Sequence, residues 1–190
     1  LYLVDNNGHL DLSEYEGKIT TIEAGAFSKV EIENGINSLS SIVLPKGITT
    51  IGDDAFSYNT NLTSIKIPNT VTSIGKRAFQ GCTNLTSIEI PDTVTYIGDH
   101  CFSGWNRLQK IKLSKKIQTI SQRLLQGCSS LTEIEIPEGV KSIGYAAFSS
   151  CNKLTTITLP ASLTSFNGTA IAGLSKLTEV KVADGNNNFK

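Results

Sequence analysis

The chain has 190 residues, and its 17 Lys and Arg balance 17 Asp and Glu, so the formal net charge at pH 7 is zero. A neutral chain without a basic run lacks the electrostatic signature of a nucleic-acid-binding protein, and we expect no nucleic-acid partner. No apolar stretch approaches the roughly 18 residues that a membrane-spanning helix needs, so we expect no membrane insertion. The chain starts at Leu1 and contains no Met, and we expect it to be a monomeric fragment of a larger chain.

Residues 1–38 are the least regular part of the sequence. The turn cluster Asp5-Asn6-Asn7-Gly8 separates two short apolar runs, which indicates a β-hairpin. Residues 19–27 already show the apolar pattern of the later repeats. Residues 30–32, followed by an Asn34-Gly35 turn, predict a second small hairpin or a bulged loop. We therefore expect an irregular capping unit that leads into a repeat.

From residue 39 onwards a leucine recurs every 23 residues, at Leu39, Leu62, Leu85, Leu108, Leu131, Leu154 and Leu177. A fixed period in the twenties is typical of a solenoid, in which each unit buries its apolar face against the next. Residues 39–190 are therefore interpreted as six full repeats and a partial seventh, preceded by the cap at residues 1–38. We call each unit a coil and name it after its leucine.

The Leu62 coil shows what one repeat contains. Ile65 and Ile67 alternate with polar residues, which predicts a short half-buried strand, and Pro68 ends it because proline has no amide hydrogen for a sheet. A second extended segment follows and is closed by Gly75, where we expect a positive φ. Asn167 holds this position in the last full coil and is expected to adopt the same conformation.

The remainder of the Leu62 coil, residues 76–82, turns the chain towards the next leucine. Ala78 and Phe79 are expected to point inward. The segment is too short for a regular helix, so we predict a single turn of 3-10 or α structure.

The four cysteines are Cys82, Cys101, Cys128 and Cys151. Their spacing fits no zinc motif, and three of them share one position of the repeat, which indicates a packing role. Cys128 and Cys151 fall on adjacent coils, and a strand spacing of about 4.8 Å leaves their Cβ atoms slightly too far apart for an unstrained disulfide. We predict free, buried thiols and no metal.

Catalytic residues are not evident in the sequence. His100 precedes Cys101, but Cys101 occupies an inward position, which favours a surface histidine beside a buried thiol over a nucleophile–base pair. We therefore expect no enzymatic activity and no cofactor.

The outward positions of the predicted strands form columns that carry charge. Lys66, Glu89, Lys112 and Glu135 alternate in sign in one column, and Lys110 and Glu133 lie in the column two residues earlier. Alternating charges could simply keep neighbouring coils from repelling each other and the sheet soluble. They could instead form a docking face, as exposed solenoid surfaces often do. Both interpretations stay open at this point.

Other exposed positions offer further candidates. Trp105 replaces a cysteine of the repeat and either fills a widened core or projects outward as an aromatic anchor for a partner. Tyr96, beside the second extended segment, is a weaker candidate of the same kind. A column formed by Thr72, Thr95 and Thr164 is interpreted as structural rather than as an ice- or glycan-binding ladder.

The repeat pattern L-x-x-I-x-I-P-x-x-V-x-x-I-G-x-x-A-F-x-x-C, best kept at residues 62–82 and 131–151, resembles the bacterial BspA-like leucine-rich repeat. The resemblance covers residues 39–182, and the segment GHLDLSEYEG is similar to the lead-in of that family. It implies an exported or cell-surface protein with a role in adhesion and protein binding. It carries no catalytic residues.

Together, pattern and resemblance predict a right-handed leucine-rich-repeat solenoid. It is mainly β, with a parallel sheet of short strands and short 3-10 or extended segments on the opposite face. We expect an extracellular binding or adhesion module that recognises a protein, or alternatively a glycan, through the strand columns. The second hypothesis is a structural spacer that presents other domains.

The Leu108 coil departs most from the pattern. Ser114 replaces the proline, Ser121 replaces the glycine, and Leu124-Leu125 replaces Ala-Phe. We therefore expect the coil register to be locally distorted near residues 101–125.

Overall fold

A computed structural model describes residues 4–28 and 39–189 of the chain as a parallel β-solenoid of about six turns with almost no helix. The strands are β1 (His9–Asp11), β2 (Thr21–Ile22), β3 (Ser41–Val43), β4 (Thr50–Ile51), β5 (Ser73–Ile74), β6 (Ser87–Glu89), β7 (Tyr96–Ile97), β8 (Lys110–Lys112), β9 (Thr119–Ile120), β10 (Ser142–Ile143), β11 (Thr156–Leu159), β12 (Ser165–Phe166) and β13 (Glu179–Val182). The described residues form two 3-10 helices, Ser13–Tyr15 and Gly168–Ile171. None of the helices in this part of the chain has the length and apolar character to cross a membrane.

The first extended segments of the coils stack in the register that the repeat dictates. They form the parallel pairs β1–β3, β6–β8 and β11–β13. In the central pair Ile88 lies opposite Ile111, one 23-residue coil further on. The corresponding segments of the Leu62 and Leu131 coils, residues 64–67 and 132–136, make no backbone hydrogen bond to a neighbouring coil within the described residues. This line of strands is therefore paired in three places and open between them.

The second extended segments form sheets with more strands than the first extended segments do. β2, β4, β5 and β7 make one four-stranded parallel sheet, and β9, β10 and β12 make a three-stranded one. The expected parallel sheet is thus divided between two lines of strands, and the second line is the more continuous.

The glycine that closes the second segment is required by close approach and not by a positive φ. A Cβ atom on Gly75 would lie 2.5 Å from the backbone nitrogen of Asp53 in the preceding coil. The prediction of a positive φ at Gly75 is wrong, because the φ of Gly75 is not positive. It is also wrong for Asn167, whose φ is −80° and whose side chain accepts a hydrogen bond from the Thr169 amide at 3.0 Å.

The expected distortion of register in the Leu108 coil is wrong, because the coil pairs with both neighbours at the 23-residue offset. In the described part of the chain, one strand pairing is nevertheless missing beside Ser121. The second line of strands is interrupted there, between β7 and β9. Ser121 carries the Cβ atom that the glycines of other coils lack, and its hydroxyl donates a hydrogen bond to the Ile97 carbonyl. The interruption is local, because the Phe102 amide still donates to the Leu124 carbonyl of the next coil at 3.1 Å.

The turn segment of each coil forms a third ladder of hydrogen bonds. Within the turn the Gln80 amide donates to the Arg77 carbonyl at 3.0 Å, while the Arg77 amide donates to Asp99 of the next coil at 2.9 Å. Arg77 adopts a φ of 53° and Gly81 a φ of 72°. The 3-10 turn expected in this segment forms in the last full coil, as Gly168–Ile171, and the Leu62 coil has a series of turns instead.

The core is a continuous stack of equivalent side chains. Phe27, Phe56, Phe79 and Phe102 are buried, and successive rings stack at centroid distances of 5.5, 5.4 and 6.2 Å. Phe56 and Phe79 each stack on the rings of both neighbouring coils, so these coils have no core of their own.

The cysteine position of the repeat is a hydrogen-bond donor position. All four thiols are free and buried, as predicted. The Cys82 and Cys128 thiols donate to the carbonyls of Phe56 and Phe102, each at 3.3 Å. The Trp105 indole Nε1 donates to the equivalent carbonyl, that of Phe79, at 2.6 Å. Trp105 is fully buried, so of the two alternatives it fills the core.

The N-terminal segment contains the predicted hairpin and also the first rung of the solenoid. Val4 and Leu10 form an antiparallel bridge across the Asp5–Gly8 turn, while β1 pairs in parallel with β3. The second hairpin, predicted around residues 30–35, lies outside the described residues. The division of the chain at residue 38 stays a prediction.

Candidate functional site

The first extended segments of four central coils present a charged surface, which we call the strand face. It consists of Lys66, Glu89, Lys112 and Glu135 in one column, and Ser64, Ser87, Lys110 and Glu133 in the column two residues earlier. All eight side chains are exposed. The alternation of a strand points these residues outward and turns the isoleucine between each pair inward. Ile88, Ile111 and Ile134 are buried, and Ile65 is half-buried. The register of β6 and β8 places Glu89 opposite Lys112 and Ser87 opposite Lys110.

One ion pair lies at the centre of the strand face. The Lys112 ammonium nitrogen is 2.5 Å from Glu89 Oε1. The hydrogen bond to Glu89, followed by the charge of that carboxylate, raises the pKa of Lys112. Because both side chains are exposed, the pair contributes little to folding stability.

The other charges of the strand face are not paired in the same way. Among the ion pairs of the described residues none includes Lys66, Lys110, Glu133 or Glu135. The line of strands is open on both sides of the central β6–β8 pair, between residues 64–67 and β6 and between β8 and residues 132–136. These charges are therefore free to contact a partner.

An open cleft lies where the line of strands opens. It has a cavity volume of about 260 Å³ and is lined by Ile65, Lys66, Ile67, Asn69, Glu89 and Pro91. A neighbouring cleft of about 330 Å³ shares Asn69, Glu89 and Pro91 with the first and extends to Lys112 and Lys116. Both clefts border the strand face, and Ile65 is only half-buried in the first of them.

A third column, in the turn after the strand, extends the charged surface. It contains Asn69, Asp92, Lys115 and Glu138, all exposed. Asp92 Oδ1 accepts a hydrogen bond from the Lys115 amide at 2.9 Å, and Glu138 Oε1 accepts one from the Ala161 amide at 3.1 Å. Sequence reasoning missed this column, although the same 23-residue spacing could have revealed it.

The aromatic candidates do not join the strand face. Tyr96 is half exposed, at 50%, but it lies on β7 in the four-stranded sheet of second segments. Trp105 has no exposed surface and cannot touch a partner from the folded protein. The prediction that Trp105 binds a partner is therefore wrong. The indole is buried and donates a hydrogen bond to the Phe79 carbonyl.

The threonine column is structural. The hydroxyls of Thr72, Thr95 and Thr164 each donate to a backbone carbonyl of the preceding coil, at 3.2, 3.3 and 3.1 Å. These hydroxyl hydrogens are engaged in joining coils, as the structural interpretation predicts.

The thiols are poorly suited to nucleophilic chemistry. Burial raises the pKa of Cys101, the neighbour of His100, well above its ordinary value, which keeps the thiol protonated. Burial is also the main cause that lowers the pKa of His100, and the charge of Arg123 adds to it. Within the described residues no group of three or more His, Cys, Asp or Glu side chains is placed to hold a metal ion.

Comparison with known families identifies the repeat. Six copies of the family model described as "BspA type Leucine rich repeat region" match the chain, at residues 33–123 and 72–190. The chain belongs to this family. BspA-type leucine-rich repeats are typically non-enzymatic. Among curated proteins, no sequence matches the chain.

Several solved BspA-type or other leucine-rich-repeat structures are similar. A leucine-rich repeat protein from Eubacterium ventriosum is 28% identical with a TM-score of 0.71, over 78% of this chain and 42% of that one. The leucine-rich repeat protein of T. pallidum is 25% identical with a TM-score of 0.66, over 79% of both chains. A leucine rich cell surface protein from Faecalibacterium prausnitzii shares the fold at 23% identity and a TM-score of 0.53, over 91% of this chain and 62% of that one. The chain thus spans less than two thirds of the length of the Eubacterium and Faecalibacterium proteins.

Proposed function

We propose that the chain is a non-enzymatic, extracellular binding module that recognises a protein through the strand face. The observation that carries the proposal is the exposure of Lys66, Lys110, Glu133 and Glu135 in aligned columns, without ion-pair partners in the described part of the chain. Fixed charges of both signs on a rigid scaffold favour a partner with a complementary charge pattern. The extracellular location is supported by the Faecalibacterium relative, which is a cell surface protein.

A protein is favoured over a glycan by the composition of the strand face. Its two columns contain Lys, Glu and Ser and no aromatic side chain. Tyr96, the exposed aromatic candidate, lies in another sheet. A glycan remains the alternative ligand.

A structural spacer is the second candidate function, and the burial of Trp105 favours it. An exposed tryptophan beside the charged columns would have supplied the aromatic anchor that is common at the centre of interfaces. With Trp105 buried, the strand face has no such anchor, and a surface without one is compatible with holding other domains apart.

A binding screen with charge variants distinguishes the two functions. The immobilised wild-type protein is tested against a panel of purified extracellular and bacterial surface proteins, and in parallel against a glycan array. The double variant Lys66→Glu/Lys112→Glu should bind the captured protein at least tenfold more weakly, a loss of about 1.4 kcal/mol or more in binding free energy. The control Lys76→Glu/Lys153→Glu has the same net charge and changes exposed side chains outside the strand face. Equal binding of both variants would reject the strand face, and no ligand in either screen would favour the spacer.

A further inference from the structure

We propose that the partner of the strand face is a second copy of this chain, bound face to face in an antiparallel dimer. The inference rests on the proposed function, because it names the protein that the strand face recognises. It is supported by the order of the charges along the coils. When a second copy is turned so that its coils run in the opposite order, each charge faces an opposite charge or a neutral side chain.

The column of Lys66, Glu89, Lys112 and Glu135 is the main column of the strand face. Its charges run basic, acidic, basic, acidic along the Leu62, Leu85, Leu108 and Leu131 coils. A two-fold axis parallel to the strands, passing between β6 and β8, reverses the order of the coils and keeps each column opposite itself. Lys66 then faces Glu135 of the second copy, and Glu89 faces Lys112 of the second copy. Each contact occurs twice, as a two-fold interface requires.

The flanking columns obey the same symmetry. Under this axis Ser87 faces Lys110, and Ser64 faces Glu133. In the turn column Asp92 faces Lys115, and Asn69 faces Glu138. Across three columns every charge therefore meets either an opposite charge or a neutral polar side chain, and no like charges meet.

The alternative two-fold axis is unfavourable. An axis parallel to the length of the solenoid would place each coil opposite its own copy. Lys110 would then face Lys112, and Glu133 would face Glu135, so two coils would meet with like charges. Like-charge juxtaposition suppresses wrong arrangements at interfaces, and the charge pattern therefore selects the antiparallel dimer.

The backbone is arranged about the same centre. β6 and β8 are hydrogen-bonded to each other, and the segments on either side, residues 64–67 and 132–136, carry no backbone bond to them within the described residues. The outermost charges, those of Lys66 and Glu135, thus lie on first extended segments that, in the described part of the chain, make no backbone bonds to the central pair, although the second segments of the same coils are paired with their neighbours.

The interface is small and charged, so the dimer belongs to the weak class. Four coils at a strand spacing of about 4.8 Å give a face only about 20 Å long. Interfaces of this size are at the low end of specific association and depend strongly on salt. The dimer is therefore expected at high protein concentration and low ionic strength.

A charge-swap cycle tests the proposal by analytical ultracentrifugation from micromolar to millimolar protein in low salt. Lys66→Glu and Glu135→Lys change the net charge in opposite directions, and each should weaken dimerisation by about tenfold or more. The double variant Lys66→Glu/Glu135→Lys restores opposite charges across the interface and should recover the wild-type dissociation constant. Lys153→Glu, with the net charge of the first variant, should dimerise like the wild type.

The double variant also separates the dimer from an intramolecular role of the same charges. Its column would run acidic, acidic, basic, basic, which places like charges on neighbouring coils of one molecule. If the alternation serves only to avoid repulsion between coils, the double variant should be no better than either single variant in any assay. Recovery of the dimer by the double variant therefore supports contact between two copies, and failure to recover overturns it.

A cross-linking experiment on the wild-type protein gives a second test that needs no variant. Lys66 and Glu135 are three coils apart, about 14 Å in one molecule, which is beyond the reach of a carbodiimide that joins an amine directly to a carboxylate. A Lys66–Glu135 cross-link between ¹⁴N and ¹⁵N copies in a mixed sample is expected. A wild-type protein that stays monomeric, or forms no such cross-link, overturns the dimer. Capture of another protein in the binding screen would then leave the proposed function standing.

Discussion

At the scale of single residues, the cysteine position of the repeat selects for a buried group that can donate a hydrogen bond. Cys82, Cys128 and Trp105 differ in size and shape, yet each donates to a phenylalanine carbonyl 26 residues earlier. In the first coil of the array Asn59 also donates to a phenylalanine carbonyl, that of Phe27, at 2.8 Å and 32 residues earlier. Position in the repeat, rather than thiol chemistry, explains why these residues are interchangeable.

Substitution of Trp105 should separate its volume from its hydrogen bond. Trp105→Phe keeps an aromatic ring and loses the donor, and we expect it to lower the free energy of unfolding by about 1–2 kcal/mol. Trp105→Ala also leaves a cavity and should cost about 3–5 kcal/mol. Urea denaturation measures both. Equal losses for the two variants would show that the ring does not fill the core as described.

The buried thiols predict a loss of stability at alkaline pH. Burial raises the pKa of Cys82 and of Cys151 from 9.0 to about 12. Below pH 9 the thiols are protonated in both the folded and the unfolded chain, so their contribution is fully present. Between pH 9 and about 12 the unfolded chain releases these protons first, and the free energy of unfolding falls.

The measurement is the urea midpoint as a function of pH. Because lysines and tyrosines titrate in the same range, the control is the variant Cys82→Ala/Cys151→Ala. Its midpoint should fall less steeply above pH 9 than that of the wild type. Parallel slopes would contradict the assignment to the thiols.

At the scale of elements, the second extended segment determines how closely coils can approach. Gly75 faces the backbone of Asp53 without room for a side chain. Ser121 occupies the same position in the Leu108 coil, and there the strand pairing is interrupted. A Cβ atom alone does not prevent the pairing, because Asn167 holds the same position in the Leu154 coil and β10 still pairs with β12 there. In the Leu108 coil the Ser121 hydroxyl donates to the Ile97 carbonyl.

Gly75→Ala should destabilise the protein by about 3 kcal/mol, because the new methyl group would overlap the backbone of the preceding coil. The matched control is Gly168→Ala, where nothing lies within 4 Å of the added Cβ, and we expect a change within about 0.5 kcal/mol. Thermal unfolding monitored by circular dichroism compares the two. A Gly75→Ala variant as stable as the control would contradict the close approach.

The sequence predicted the elements that depend on periodicity and missed those that depend on spacing between coils. The alternation of Ile65 and Ile67 and the 23-residue period are local signals, and they predicted the solenoid, the free thiols and the exposed columns. The role of Gly75 depends on a backbone in the preceding coil, which no local pattern reveals. Position likewise did not determine whether Trp105 pointed inward, because both orientations suited an aromatic ring.

At the scale of the whole molecule, the surface columns exist only because the coils are stacked in register. The pairing of Ile88 with Ile111 and the continuous phenylalanine stack are two consequences of the same period. Since each coil contacts only its neighbours, stability is expected to be a sum of contributions from adjacent coils. A protein from which one complete coil has been deleted should therefore still fold.

Matched deletions test this register most directly. Removal of residues 62–84 takes out one complete coil, joins Asn61 to Leu85 and keeps the remaining phenylalanines stacked. Removal of residues 71–73 is shorter and leaves the Leu62 coil with 20 residues, three too few to stack in register with its neighbours. Circular dichroism and urea denaturation should show a folded, cooperatively unfolding protein for the complete-coil deletion and a loss of cooperative unfolding for the shorter one. Equal behaviour of the two deletions would contradict stacking in a 23-residue register, and with it the strand face.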